Sequence, residues 1–543
     1  MRNVKKWGKQ LLCTLMAAAV AAASAGCGTG GAASGQKTAV GGDSQIVNIG
    51  VTDSLSSLNP LTIDATEINK YATSMMFLPL VELNSKMEFE GALADSITTK
   101  DNKTFTVALN KNAVWSDGKP VTADDVAFTV LRLCSPVIAN TTMSMSALVG
   151  TGEDGFVKKG ATSVSGVKVL NDKTLTFTMK QSMALTTFEN SYARYMMPVP
   201  KHVLQNVSEE QLAKYAWFNS PTVVDGPYIA TAVDTNHYIS YKANEKYWKG
   251  APKISKMNIK ILAASQIYAG LKSGEIDFVQ QTMAAIPQED YTNIEALDNV
   301  TAKYGKPVTT QSLFLNTKTI PDVRVRQAIQ YAIDRNLLLK NLLNGKGEVV
   351  DGFLTSASPF YNKSLTPTTY DPEKAKTLLR QANWGSGKTL SFYVNSGDTT
   401  FVNGSSVIKE ELRQVGINVE IHTVDLSTLM STAGSQKFDL LAVQYTYAPV
   451  DPYPDVRWLL GGAGSWTNFS SPVVDKALAQ TQQTSDKAEI AKQYLTIDQT
   501  VQKQVPMINT YVISALGAVS KRLENAEPTV YGSFINIQNW EIQ

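Results

Sequence analysis

Cysteine and histidine are scarce in this 543-residue chain, with three of each. Cys13 falls in an N-terminal apolar segment, Cys27 follows a run of small residues, and only Cys134 lies in the long remainder. That count excludes a metal site of Cys type and leaves Cys134 without a disulfide partner in the body of the protein. His202, His237 and His422 stand far apart and are not paired at ligand spacing, which argues against a His-rich metal site. An excess of one charge is missing as well. Arg2, Lys5, Lys6 and Lys9 belong to the first 26 residues, and without them 46 bases face 48 acids, a net charge of −2. Such a balance does not supply the basic face that nucleic-acid binding needs. No G-x-S-x-G, H-E-x-x-H or complete P-loop occurs, so no enzymatic activity and no cofactor are expected. The phrase Gly385-Ser386-Gly387-Lys388-Thr389 copies the tail of a P-loop, but Ala382 stands where the pattern requires glycine. A helical pattern precedes it and a strand pattern follows, the reverse of the required order. It reads as a turn.

What is present points to a large secreted protein. The length calls for two or three domains, and 43% hydrophobic residues is ordinary for a globular chain. Basic residues up to Lys9 precede an apolar run from Leu11 to Ala23, shorter than a membrane-spanning helix needs. It ends in Ser24-Ala25-Gly26-Cys27, which resembles a lipoprotein signal with Cys27 as the lipidated new N-terminus. Residues 1–26 are therefore expected to be a signal peptide, and 27–44, rich in Gly, Ala and Ser, a flexible tether.

Beyond the tether, Ile46 to Val51 is a short apolar strand. Phe105, Val107 and Leu109 alternate with polar neighbours, Asp117-Gly118 supplies turn chemistry, and Thr122 opens a helix with Asp124 and Asp125 in its first turn. Val167 to Met179 reads as a hairpin about Asn171-Asp172. Val323 to Asp334 and Asp371 to Ala382 are amphipathic helices, and Phe438 to Tyr445 is a buried strand. Alternating strands and helices of this kind imply an open α/β sheet with ligands beyond the strand ends.

Several of these phrases carry a resemblance. Trp115 to Val126 follows "W-S-D-G-x-P-h-T-A-x-D-V"; Asp225-Gly226-Pro227-Tyr228, Asn244 to Trp248 and Leu271 to Phe278 follow in the right order and spacing. Together with Val323 to Asp334 they resemble the bacterial extracellular solute-binding proteins of family 5, the dipeptide-, oligopeptide- and nickel-binding receptors of ABC importers. The resemblance covers the chain from Ile46 to its C-terminus. It implies an α/β, two-lobed periplasmic-binding-protein-like fold of class II (cluster C) type, with an extra small subdomain in the first lobe and a hinge between lobes. The expected division is 45–85 first part of lobe I, 86–200 small subdomain, 201–305 second part of lobe I, 306–495 lobe II and 496–543 the return to lobe I.

The resemblance also implies a site. In the peptide receptors, backbone just past the "N-P" turn pairs with the ligand, which by position means Asp64, Ala65 and Thr66. The strand after "F-D" offers backbone groups, here Gln444, Tyr445 and Thr446. Pairing of main chain to main chain gives affinity without reading side chains. The aspartate that holds a peptide's ammonium in those receptors is replaced by Ala448, and Asp451 is the nearby candidate substitute. Tyr447, Trp466 and Asn468 complete the expected ligand-binding set, with no metal in it. Arg324 and Arg326 are expected to support the fold. The expected role is that of a monomeric, extracytoplasmic, lipid-anchored receptor that delivers peptides to permease subunits. A nickel chelate, an oligosaccharide or another small solute is the alternative cargo, and a surface sensor without transport the alternative role.

Overall fold

The computed structural model describes residues 45–63, 66–140, 142–282, 285–385, 387–461, 465–531 and 534–543. The expected signal peptide, tether and lipidation site Cys27 lie outside them, as do Asp64 and Ala65.

Lobe I is built on a seven-stranded sheet whose order is 300–304, 516–520, 278–279, 46–51, 256–261, 238–243, 228–234. Ile46–Val51 pairs in parallel with Lys256–Ile261, so strands more than 200 residues apart lie side by side. The intervening chain makes the small four-stranded antiparallel sheet Ala94–Thr99, Thr104–Leu109, Thr174–Thr178, Val167–Asn171. Against it packs the helix Ala123–Leu133, which buries Val126, Phe128, Val130 and Leu133. Asp125 explains why the segment is spelled as it is. Its carboxylate accepts from the Thr122 backbone at 2.8 Å, from Trp115 Nε1 at 3.4 Å and from the Lys201 backbone at 2.9 Å. One buried acid thus closes a capping box and ties the turn to the exit of the subdomain.

The other signature phrases are framework in the same way. Asp225 Oδ1 accepts from the Leu78 backbone at 3.0 Å. At Gly226 an added Cβ would stand 2.5 Å from the Met75 carbonyl oxygen, so only glycine lets the two backbones meet. Asp277 accepts from the Asn48 backbone and from Arg522 at 2.7 Å. The Arg326 guanidinium donates to the carbonyls of Ile320, Pro321 and Gln504, whereas Arg324 is exposed against Asp322.

Lobe II is a six-stranded sheet ordered 347–348, 507–513, 309–315, 440–446, 389–395, 418–424. Thr309–Leu315 and Met507–Ile513 are buried along their whole length, between two apolar clusters on opposite faces of the sheet. The chain passes between the lobes after Tyr304 and again after Ile513, and the two crossings touch where Gly305 N–H donates to Ala515. This corrects one expected boundary. Residues 496–513 belong to lobe II, because Met507–Ile513 pairs with Thr309–Leu315, and only Leu516–Ser520 rejoins the first sheet. Pro506-Met507-Ile508 begins a central strand of lobe II rather than the return.

Candidate functional site

A cavity of about 850 Å³ opens between the lobes, in the range of small-ligand sites. Lobe II contributes Thr309, Thr446, Tyr447 and Ala448 from the ends of two adjacent strands, then Asp455 and Arg457 from the helix Tyr453–Leu460. The facing wall carries Lys70, Tyr71, Tyr192, Arg194 and Tyr195, with Tyr531 at one side. Leu440–Thr446 pairs with Thr309–Leu315 along its whole length, but with Thr389–Asn395 only through Leu440, Leu441 and Ala442. From Val443 onward its other edge has no strand partner among the described residues, and it runs out into the cavity.

The sequence-based candidates divide on inspection. Thr446 and Tyr447 form cavity wall, although Tyr447 packs its ring on Phe353 and its carbonyl accepts from Tyr531 Oη at 2.6 Å. Tyr445 reaches the site through its hydroxyl, which donates to Asp455 Oδ1 at 2.6 Å. Gln444 turns away, its amide donating to Asp398 at 3.0 Å. Thr66 sits at the start of the helix Glu67–Ser74, where its hydroxyl accepts from Asn69. Trp466 is buried against Phe314 and Trp458, and Asn468, in the left-handed region at φ 54°, donates to Asn316. Gln444, Trp466 and Asn468 are not among the residues that line the cavity, though the expectation for Gln444 concerned its backbone groups: an apolar ring or a turn amide reads alike in sequence whether it lines a core or a pocket. His422 stacks on Tyr393 in the sheet, and no cluster of metal-ligating side chains occurs among the described residues.

Asp451 does something other than face the cavity. It is 2% exposed, and its carboxylate accepts from Thr187 Oγ1 at 2.9 Å and from Asn190 Nδ2 at 3.4 Å, joining lobe II to the segment Leu185–Ala193. The Ala184 backbone donating to Gln482 Oε1 adds a second tie at the same contact. Burial pushes the Asp451 carboxyl up to about 7, with Thr187 opposing and Asp455 reinforcing. Glu189 beside it is likewise raised to about 7 by burial and by Asp451, against Lys487.

Four charged residues that line the cavity were not singled out from the sequence: Lys70, Arg194, Asp455 and Arg457. Asp455 takes two donors, Tyr445 Oη and the Ala448 backbone N–H at 3.4 Å, and burial raises it to about 6. Its carboxylate therefore stands beside the position that Ala448 leaves without one. No local pattern in the sequence marks these four; the turn of π-helix Glu189–Ala193 directly before Arg194, a kind of bulge that favours functional sites, is visible only in the backbone.

Two α/β lobes joined by two crossings and closed on a cavity define a hinged solute-binding receptor. The chain belongs to the bacterial extracellular solute-binding proteins, family 5, whose family description matches residues 88–467. Members of that family are solute-binding proteins and not enzymes. The oligopeptide-binding protein AppA of Bacillus subtilis is 24% identical over 525 residues, covering 92% of this chain and 91% of its own length. The nickel-binding periplasmic protein of Escherichia coli is 24% identical over 505 residues, covering 86% and 92%. In structure, the substrate-binding protein CtaP of Listeria monocytogenes aligns with a TM-score of 0.78 at 21% identity, covering 92% of this chain and 99% of that one. The unliganded open form of the murein tripeptide-binding protein MppA aligns at 0.77 and 20% identity, with coverage of 92% and 98%. At these identities the structures establish the fold. No helix among the described residues is long and apolar enough to cross a membrane.

Proposed function

We propose that this protein captures short peptides outside the cytoplasmic membrane and delivers them to the permease of an ABC importer, held to the membrane by a lipid on Cys27. The observation that carries the peptide reading is the strand Leu440–Thr446, whose unpartnered edge runs into the interlobe cavity at Thr446 and Ala448. An extended ligand can add to such an edge through main-chain hydrogen bonds, which accepts many side chains equally. Asp455 supplies the ammonium anchor that Ala448 lacks, and Asp451 holds the lobes together instead. The peptide-binding relatives support the same cargo.

The direct test is native mass spectrometry of gently purified protein, followed by denaturation to release bound material. A mixed set of short peptides is the expected result. A single non-peptide mass would overturn the cargo. For the anchor, Cys27→Ser is expected to release the protein from the membrane fraction, and unchanged retention would refute lipidation at Cys27.

A further inference from the structure

A second cavity, of about 370 Å³, lies against the first crossing between the lobes and is lined by Asn84, Met87, Lys303, Gly305 and Glu527 among others. It shares Gln281, Val530 and Tyr531 with the interlobe cavity, so three residues stand between the two spaces. Each of the three is fixed in place. The Gln281 amide donates to the Lys303 carbonyl at 3.1 Å. Val530 is buried on the crossing itself, where an added Cβ at Gly305 would stand 2.5 Å from Val530 Cγ1 and 2.9 Å from Gln281 Oε1. Only glycine lets the partition sit this close to the chain. Tyr531 is 6% exposed, lies in one apolar cluster with Val308, Ala357 and Val450, and has the Arg194 guanidinium 5.3 Å from its ring. Its hydroxyl donates to the Tyr447 carbonyl at 2.6 Å. Tyr531 follows the lobe I strand Leu516–Ser520 and Tyr447 follows the lobe II strand Leu440–Thr446, so this bond spans the lobes.

An extended ligand in the interlobe cavity meets these three residues before it meets the second cavity. To pass, it must move a buried ring out of its apolar cluster and break the bond between the lobes, a loss on the order of tenfold in affinity or more. We propose that Tyr531 is the specificity-determining residue that ends the ligand site and sets the length of peptide the closed protein accepts. This rests on the reading of the cargo as peptide. A ligand that fits leaves the Tyr531–Tyr447 bond intact and lets the lobes close, whereas a longer one holds Tyr531 away and keeps them apart. A space of about 370 Å³ is about 7 Å across, room for about two residues of extended chain at about 3.3 Å each. Removing the ring would join that space to the site.

The test uses the mature protein and a ladder of Ser/Ala peptides with free termini, from dipeptide to nonapeptide, titrated by calorimetry. The parent is expected to show a length limit, beyond which affinity falls by about tenfold or more. Tyr531→Ala should move that limit up by about two residues. Tyr531→Phe keeps the ring, so it should leave the limit in place and weaken all lengths alike, by less than about tenfold. Circular dichroism and melting confirm that each variant is folded, and the parent profile needs no variant at all. A parent that binds the nonapeptide as tightly as the tripeptide would overturn the proposal, as would a limit that stays put in folded Tyr531→Ala. Peptide capture would stand in both cases. Binding of no peptide at any length would overturn the peptide cargo and the length limit with it.

Discussion

Replacing Asp455 by asparagine separates charge from shape at the proposed ammonium anchor. The side chain keeps its size, and one oxygen remains to accept from Tyr445 Oη or from the Ala448 backbone. With the carboxyl at about 6, the group is about 90% ionised at pH 7 and about 10% at pH 5. A ligand ammonium, itself charged across this window, stabilises the ionised form and lowers the carboxyl pKa on binding. Affinity is then full above about pH 6 and falls as pH drops through that value, about tenfold between pH 7 and pH 5. Asp455→Asn should weaken binding of a free-amino dipeptide by about 30-fold or more at pH 7, the equivalent of at least about 2 kcal/mol, and should flatten the dependence on pH. An N-acetylated dipeptide should show neither effect. Calorimetric titrations of both peptides at pH 5, 6 and 7 read all of this. Asp451 and Glu189, each raised to about 7, titrate nearby. If the tenfold slope persists in Asp455→Asn, it belongs to those two groups and the anchor is refuted; unchanged affinity at pH 7 refutes it outright.

Tyr445→Phe removes the hydroxyl that lowers Asp455, so the pH at which peptide affinity is halved should rise by about one unit, the scale of a hydrogen bond to a charged group. A midpoint that stays put in the same titrations would mean that Tyr445 does not govern the anchor. Asp225 is fully buried, and burial raises its carboxyl from 3.8 to about 8. The folded state then holds its proton more tightly than the unfolded chain, so this contribution to stability is present below about pH 4 and lost as pH rises towards 8. Asp225→Asn should therefore gain about 2–4 kcal/mol relative to the parent between pH 5 and pH 8 in urea unfolding, and a difference independent of pH would contradict the argument. Cys134, buried and raised to about 12, should resist alkylation at pH 8 in the folded protein and react once urea unfolds it, as read by peptide mapping. Rapid labelling of the native form would refute that placement.

Sequence alone determined the local architecture and the family. The strand Thr104–Leu109, the Thr122 N-cap, the helix Ala123–Leu133 and the hairpin Val167–Asn171 with Thr174–Thr178 were legible because periodicity, caps and turns act over a few residues. The long phrases about Trp115, Gly226 and Asp277 were legible for a related reason: each acid or glycine among them meets a fixed backbone, so their spelling is constrained. What they specify is framework. The ligand site was decided by tertiary structure, because its groups come from segments with no local relation to one another. Asp451 meets Thr187 across 264 residues, and Arg194 shares the cavity with Lys70 from one side and Asp455 from the other. Trp466 and Tyr447 are both aromatic and both packed in the same core, yet only Tyr447 also walls the cavity. Met507–Ile513 is apolar throughout and would suit either central sheet; its pairing with Thr309–Leu315 placed it in lobe II. Hydrogen-bond register and the balance of buried charge exist only once the chain has closed on itself, and they separate the site from the scaffold.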